Sequence, residues 1–134
     1  MTNQILIGGQ ALRQLGSNRT TEDIDFLIND KSDKRVFITS DKVDYLNAAN
    51  NKFFAKIWAK EEGNTAATPE SLLELKAYAF VQHCQNFNWE KVASTEFDMK
   101  FLVLKFKLNA PKIVKGFVNA GEYSEIEKIV NFNK

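Results

Sequence analysis

The sequence predicts an α+β chain, because β-prone segments are gathered in its first half and amphipathic helices follow from Thr68. Short apolar or alternating runs occur at 4–7, 23–28, 35–39 and 42–46, separated by polar, turn-prone stretches. Beyond Thr68 the apolar residues recur at helical spacing instead. A length of 134 residues suits one ordinary domain and is short for two well-cored ones. The expectation is therefore a single domain over 1–134, with a sheet-containing core over 1–66 and a helical part over 67–134.

Gln4 to Ile7 reads as a buried strand ending in the tight turn Gly8-Gly9. Ala11, Leu12 and Leu15 then fit a short helix that Gly16 ends in a left-handed conformation. After a polar loop over 17–22, the run Asp23 to Ile28 alternates, so Asp23 and Asp25 share one strand face and Ile24 lies on the other. Arg35–Thr39 and Lys42–Leu46 are further strands. Lys52 to Lys60 fits either period: a strand would expose a basic and aromatic face of Lys52, Phe54, Lys56, Trp58 and Lys60, suited to stacking bases, and a helix would bury Phe53, Phe54, Ile57 and Trp58. Thr68, Pro69 and Glu70 form a helix start, and Leu73, Ala77, Phe80, Cys84 and Phe87 mark the buried face. A second helix from about Ser94 is expected to bury Phe97, Phe101, Leu104 and Leu108 before Pro111. Two shorter helices follow, carrying Ile113 to Val118 and Ile126 to Val130.

Composition removes several function classes. Hydrophobic content of 44% and eleven Phe supply a core, while a net charge of +1 gives no global field to draw nucleic acid or an anionic membrane. Cys84 is the only cysteine, so the chain has neither an intramolecular disulfide nor the usual zinc knuckles. With no basic leader and no long apolar run, a soluble protein of the reducing cytoplasm is expected, without membrane partners. His83 and Cys84 are neighbours on a helix and point apart, which argues against a catalytic pair and leaves His83 at the surface and Cys84 in the core.

Asp23 and Asp25 carry the chemistry. Two carboxylates on one strand face stand about 6 to 7 Å apart at a rise of about 3.3 Å per residue, a gap that one divalent cation can bridge. A hard ion, Mg²⁺ or Mn²⁺, with its phosphate oxygens is the natural partner of such a pair. Gly8 and Gly9 lack side chains, so backbone amides there can approach a triphosphate. An isolated Asp-x-Asp ordinarily marks only a solvated strand end, and a lone Gly-Gly only a turn; their combination singles them out.

In order and spacing, Gly8-Gly9-Gln10-Ala11-Leu12 followed by Arg19-Thr20-Thr21-Glu22-Asp23-Ile24-Asp25-Phe26 resembles the nucleotidyltransferase fold of the DNA polymerase β superfamily. Within it the segment looks most like the AbiEii group, the nucleotidyltransferase toxins of type IV toxin–antitoxin systems, and their uncharacterised relatives. Ala67-Thr68-Pro69-Glu70-Ser71-Leu72-Leu73-Glu74-Leu75-Lys76-Ala77-Tyr78-Ala79 is similar to a lysine-bearing helix of these families, and Glu96 to Leu102 to the following helix with its Asp98. The likeness covers residues 5–28 and, less specifically, 67–102.

The resemblance implies a minimal nucleotidyltransferase fold, a small mixed sheet flanked by helices with a helical C-terminal half. It implies transfer of a nucleoside monophosphate from an NTP to a hydroxyl on a protein, RNA or small molecule, as a toxin or defence component with an antitoxin or other partner protein. Asp23 and Asp25 would hold the metal, Gly8 and Gly9 would meet the phosphates, and Arg19, Thr21 and Lys76 would contact the nucleotide. A third carboxylate is expected on a neighbouring strand; Asp44 is the candidate for metal ligand and base, and Asp41 is its rival if the register shifts. Asp44 could equally cap a turn, and Lys76 and Asp98 could simply lie on solvated helix faces. A degenerate module that binds nucleotide or a partner without turnover is the alternative.

Overall fold

The fold is that of a computed structural model, which describes residues 4–20 and 23–134. The chain is α+β, and its contacts divide it into two compact units between Thr68 and Pro69.

The first unit holds a four-stranded mixed sheet of β1 (Gln4–Ile7), β2 (Ile24–Ile28), β3 (Phe37–Ser40) and β4 (Val43–Asn47) in the order β1-β2-β4-β3. β1 runs antiparallel to β2, β2 parallel to β4, and β3 antiparallel to β4. The covered face follows from the two-residue period: Ile5 lies opposite Leu27 and both are buried. On the reverse face Phe26 and Tyr45 stack at 6.0 Å between ring centroids. β3 and β4 begin about two and one residues later than the propensity suggests. Asp41 and Lys42 join them, both at positive φ (47° and 50°), the pattern of a two-residue hairpin turn whose twist matches the flanking strands.

α1 (Gly8–Gln14) follows β1 without an intervening turn, burying Ala11 and Leu12, and Gly16 (φ 104°) ends it in the expected manner. Lys52–Glu61 is a helix, α2, which settles its ambiguous period. Asn51 decides the matter locally, since its side chain accepts the Phe54 backbone N–H at 3.0 Å and caps the first turn. Phe54 is consequently buried, and the basic and aromatic strand face does not form. Asn47 is fully buried at the end of β4. Its Oδ1 accepts from the Asp30 and Ala49 backbone N–H groups, and its Nδ2 donates to the Asp30 carbonyl, which ties the 29–36 connection to the sheet. Glu61, also buried, accepts from the Thr68 backbone and hydroxyl at 2.8 and 2.7 Å.

The second unit is helical: α3 (Pro69–Gln85), α4 (Trp89–Phe106), a turn of 3-10 helix at Val114–Phe117, and α5 (Ala120–Val130). α3 starts at Pro69 as predicted and buries Leu73, Ala77 and Phe80. It ends before Phe87, which is exposed at φ 56° rather than packed on the helix face. α4 begins five residues earlier than expected because Asn88 caps it by accepting the Lys91 N–H. It ends at Lys107 in the left-handed conformation, ahead of Pro111. Its buried face is also turned, comprising Thr95, Asp98, Met99, Leu102 and Val103, while Phe97 and Leu104 are exposed. The buried Glu74 carboxylate accepts the backbone N–H groups of Ile113 and Val114 at 2.9 and 2.8 Å, supplying acceptors at the start of the 3-10 turn. A reciprocal capping box of Asn119 and Glu122 opens α5. Among the described residues no helix is long and apolar enough to cross a membrane.

Candidate functional site

The sheet register brings two acids together. Asp25 of β2 pairs directly with Asp44 of β4 in the parallel ladder, and side chains of paired residues project to the same side from backbones about 4.8 Å apart. Asp25 has the parity of the fully buried Leu27, so both carboxylates lie on the covered face. They occupy its end, where burial gives way, and are half-buried. Antiparallel pairing extends the row on both sides, with Ile7 beside Asp25 and Thr39 beside Asp44. The Thr39 hydroxyl donates to Asp44 Oδ1 at 2.8 Å.

Gly8 adjoins this row at the β1–α1 junction. Its φ of +69° suits glycine, and a Cβ at that position would fall on Asp25 Oδ2 and within 2.9 Å of Asp25 Cγ. The missing side chain of Gly8 is therefore the space into which the Asp25 carboxylate packs. Gly9, the next residue, is buried.

The remaining candidates are distributed as follows. Asp23 precedes β2 and is exposed. Arg19 is half-buried in the connection to β2, where its backbone N–H donates to Ser17 Oγ at 3.2 Å. Thr21 lies outside the described residues. Asp41 sits in the hairpin turn, so Asp44 is the acid that the register sets against Asp25. Lys76 belongs to the second unit, where its Nζ pairs with Asp98 Oδ2 at 2.9 Å. Asp98 is 1% exposed and does not lie on a solvated face. His83 is half-buried rather than a surface residue; burial, then the charges of Lys91 and Lys76, hold its imidazole below the ordinary range. Burial likewise pushes the Cys84 thiol up, with Glu125 and Glu122 adding to it, which disfavours a reactive thiolate.

Thr39 was missed from sequence, although Asp41-Lys42 could have found it: a two-residue turn fixes the register and places Thr39 opposite Asp44. The resemblance singled out Lys76 and Asp98 separately, but nothing in the sequence pairs them, since they lie on different helices.

Two like charges directly opposed across a ladder oppose folding unless something neutralises them. Thr39 offers one hydroxyl to Asp44. A hard divalent cation would do more, and an all-oxygen donor set suits Mg²⁺, which is usually held by one or two carboxylates and keeps its other positions for water and substrate phosphates. Among the described residues no group of three His, Cys, Asp or Glu side chains closes into a metal cage. Beside a phosphate Mg²⁺ takes one or two carboxylates, which is the number that the Asp25–Asp44 register supplies.

No protein-family model, curated protein or solved structure matches the chain.

Proposed function

We propose that the chain is a metal-dependent nucleotidyltransferase that moves a nucleoside monophosphate from an NTP to a hydroxyl acceptor on a protein, RNA or small molecule. The observation that carries the reading is the in-register pairing of Asp25 with Asp44, with Gly8 closing against Asp25. The resemblance of the Gly-Gly and Asp-x-Asp segments to nucleotidyltransferases supplies the reaction class, together with the toxin or defence setting, the antitoxin-like partner and the cytoplasmic location.

Asp25 and Asp44, with Asp23 two residues from Asp25, would hold Mg²⁺ or Mn²⁺, which when bound polarises phosphate oxygens as a Lewis acid. Asp44 accepts the proton of the acceptor hydroxyl. The freed oxygen forms its bond to the α-phosphorus as the bond from that phosphorus to the bridging oxygen breaks, and the electron pair leaves with pyrophosphate. Thr39 donates to one oxygen of Asp44, which orients the carboxylate and leaves the other oxygen for the proton. Gly8 leaves room for the Asp25 carboxylate, and the resemblance sets Gly8 and Gly9 against the phosphates and Arg19 and Thr21, in the connection before β2, on the nucleotide. Lys76 has no part in this scheme, since Asp98 engages its ammonium.

A second reading is favoured by the lack of a three-ligand cluster among the described residues. On it, the same pair holds a nucleotide–metal complex without turnover. Incubation with each α-labelled NTP, Mg²⁺ and cell extract distinguishes the two. Transfer that is lost in Asp25→Ala supports the enzyme, whereas saturable nucleotide binding without transfer supports the binding module.

A further inference from the structure

Thr39 brings a hydroxyl to the candidate site. The residue is exposed, and its Oγ1 donates to Asp44 Oδ1 at 2.8 Å. The contact follows from the register, since Thr39 lies opposite Asp44 in the antiparallel β3–β4 pair and the two side chains share a face. Ser40, the next hydroxyl along β3, is also exposed but lies opposite Val43 on the reverse face of the sheet.

Across the covered face the order is Ile7, Asp25, Asp44 and Thr39, with Gly8 following Ile7. Neighbouring strands are about 4.8 Å apart, so a phosphate held at the two acids has the β1–α1 junction on one side and the Thr39 hydroxyl on the other. In phosphoryl transfer the attacking and leaving oxygens stand roughly in line on opposite sides of the phosphorus. With the leaving phosphates toward Gly8 and Gly9, Thr39 occupies the attacking side.

We propose, resting on the nucleotidyltransferase reading above, that Thr39 is one of the acceptors: the chain transfers a nucleoside monophosphate from an NTP to its own Thr39 hydroxyl. The proton passes along the existing hydrogen bond to Asp44 Oδ1 as Thr39 Oγ1 bonds to the α-phosphorus. The bond from that phosphorus to the bridging oxygen breaks, and its electron pair leaves with pyrophosphate. The product is a phosphodiester between Thr39 and the nucleoside. It keeps the nucleotide at the site and removes the hydrogen that Thr39 donates to Asp44, so the modified chain no longer serves outside acceptors.

Mass spectrometry of the purified full chain, intact and as peptides, after incubation with each NTP and Mg²⁺ tests the proposal, beside a parallel incubation with α-labelled NTP and cell extract that follows outside acceptors. The chain is expected to gain the mass of a single nucleoside monophosphate, on Thr39, at a rate per chain unchanged by about tenfold dilution, as an intramolecular step requires. Thr39→Ser should keep the modification and Ser40→Ala leave it intact, whereas Thr39→Val and Asp44→Asn lose it, with circular dichroism showing that each variant is folded. Labelled outside acceptors beside an unmodified chain, a nucleotide on Ser40 or any residue other than Thr39, or a rate that falls on dilution would overturn the proposal and leave the reaction class standing. Absence of transfer to both chain and extract would overturn the two together.

Discussion

Asp25 on β2 and Asp44 on β4 face each other across a parallel pair of strands, with the Thr39 hydroxyl bonded to Asp44 and the bare Cα of Gly8 against Asp25. The parallel register sets both acids on one face at the end of the sheet, and that placement is the reason to propose a shared function for them.

Neutralising one acid should relieve the repulsion. Asp44→Asn is expected to stabilise the metal-free protein by about 0.2–1 kcal/mol, the range of a cross-strand pair. The same substitution should abolish any rise in melting temperature produced by Mg²⁺ or Mn²⁺ in wild type. Thermal unfolding with and without the ion measures both effects, and a variant less stable than wild type that still responds to metal would contradict the assignment.

Gly8→Ala is expected to be costly twice over, from its positive φ and from its overlap with Asp25. Gly63 provides the control: its φ is +94° and nothing lies within 4 Å of an added Cβ. Gly63→Ala should cost only the backbone strain, about 1–2 kcal/mol, and leave metal binding unchanged. Gly8→Ala should cost more and also weaken metal binding by displacing the carboxylate. Denaturant titrations of the two variants compare the costs directly.

Lys76→Ala would leave Asp98 buried without its cation, at a cost of about 3–5 kcal/mol. Replacing both, as Lys76→Met/Asp98→Leu, should return stability to within about 1.5 kcal/mol of wild type, since a well-packed apolar pair can substitute for a buried ion pair. The double variant should retain metal-dependent nucleotidyl transfer. Loss of transfer from a stable double variant would restore Lys76 to the nucleotide site.

Much of this site was legible because β-strands have a period of two. The alternation at 23–28 fixed the parity of Asp25, and the β-prone run at 42–46 already contained Asp44. Selecting Asp44 over Asp41 required the parallel pairing of β4 with β2 and the hairpin turn that takes Asp41 out of the strand. α4 was harder to read because it is apolar on two sides. A buried face containing Asp98 runs against the ordinary expectation for a charged residue, so the Phe97–Phe101–Leu104 stripe looked like the core. Phe97 and Leu104 are exposed instead and Phe101 is half-buried, while an ion pair with Lys76 lets Asp98 take the buried face. At Lys52–Glu61 both periods fitted, and the cap at Asn51 was the deciding feature.

His83 should give stability a pH dependence. Its folded-state pKa lies below the ordinary 6.5 because of burial and the nearby Lys91 and Lys76. Below 6.5 the unfolded chain therefore binds more protons than the folded one. This contribution is full above 6.5 and is lost as the pH falls through that value toward the lower folded-state pKa. His83→Gln should flatten the slope of unfolding free energy above about pH 5, where carboxylates contribute little. An unchanged slope in the variant would show that other groups set it.

On the proposed function, Asp25 and Asp44 together support metal-dependent nucleotidyl transfer. Its most direct measurement is the Mg²⁺-dependent appearance of label from α-labelled NTPs in an acceptor fraction, comparing wild type with Asp25→Asn and Asp44→Asn. Wild type is expected to transfer label, either variant to lose at least about 100-fold, as when a ligand or base is removed, and a chelator to abolish transfer. Equal labelling by wild type and both variants would contradict it.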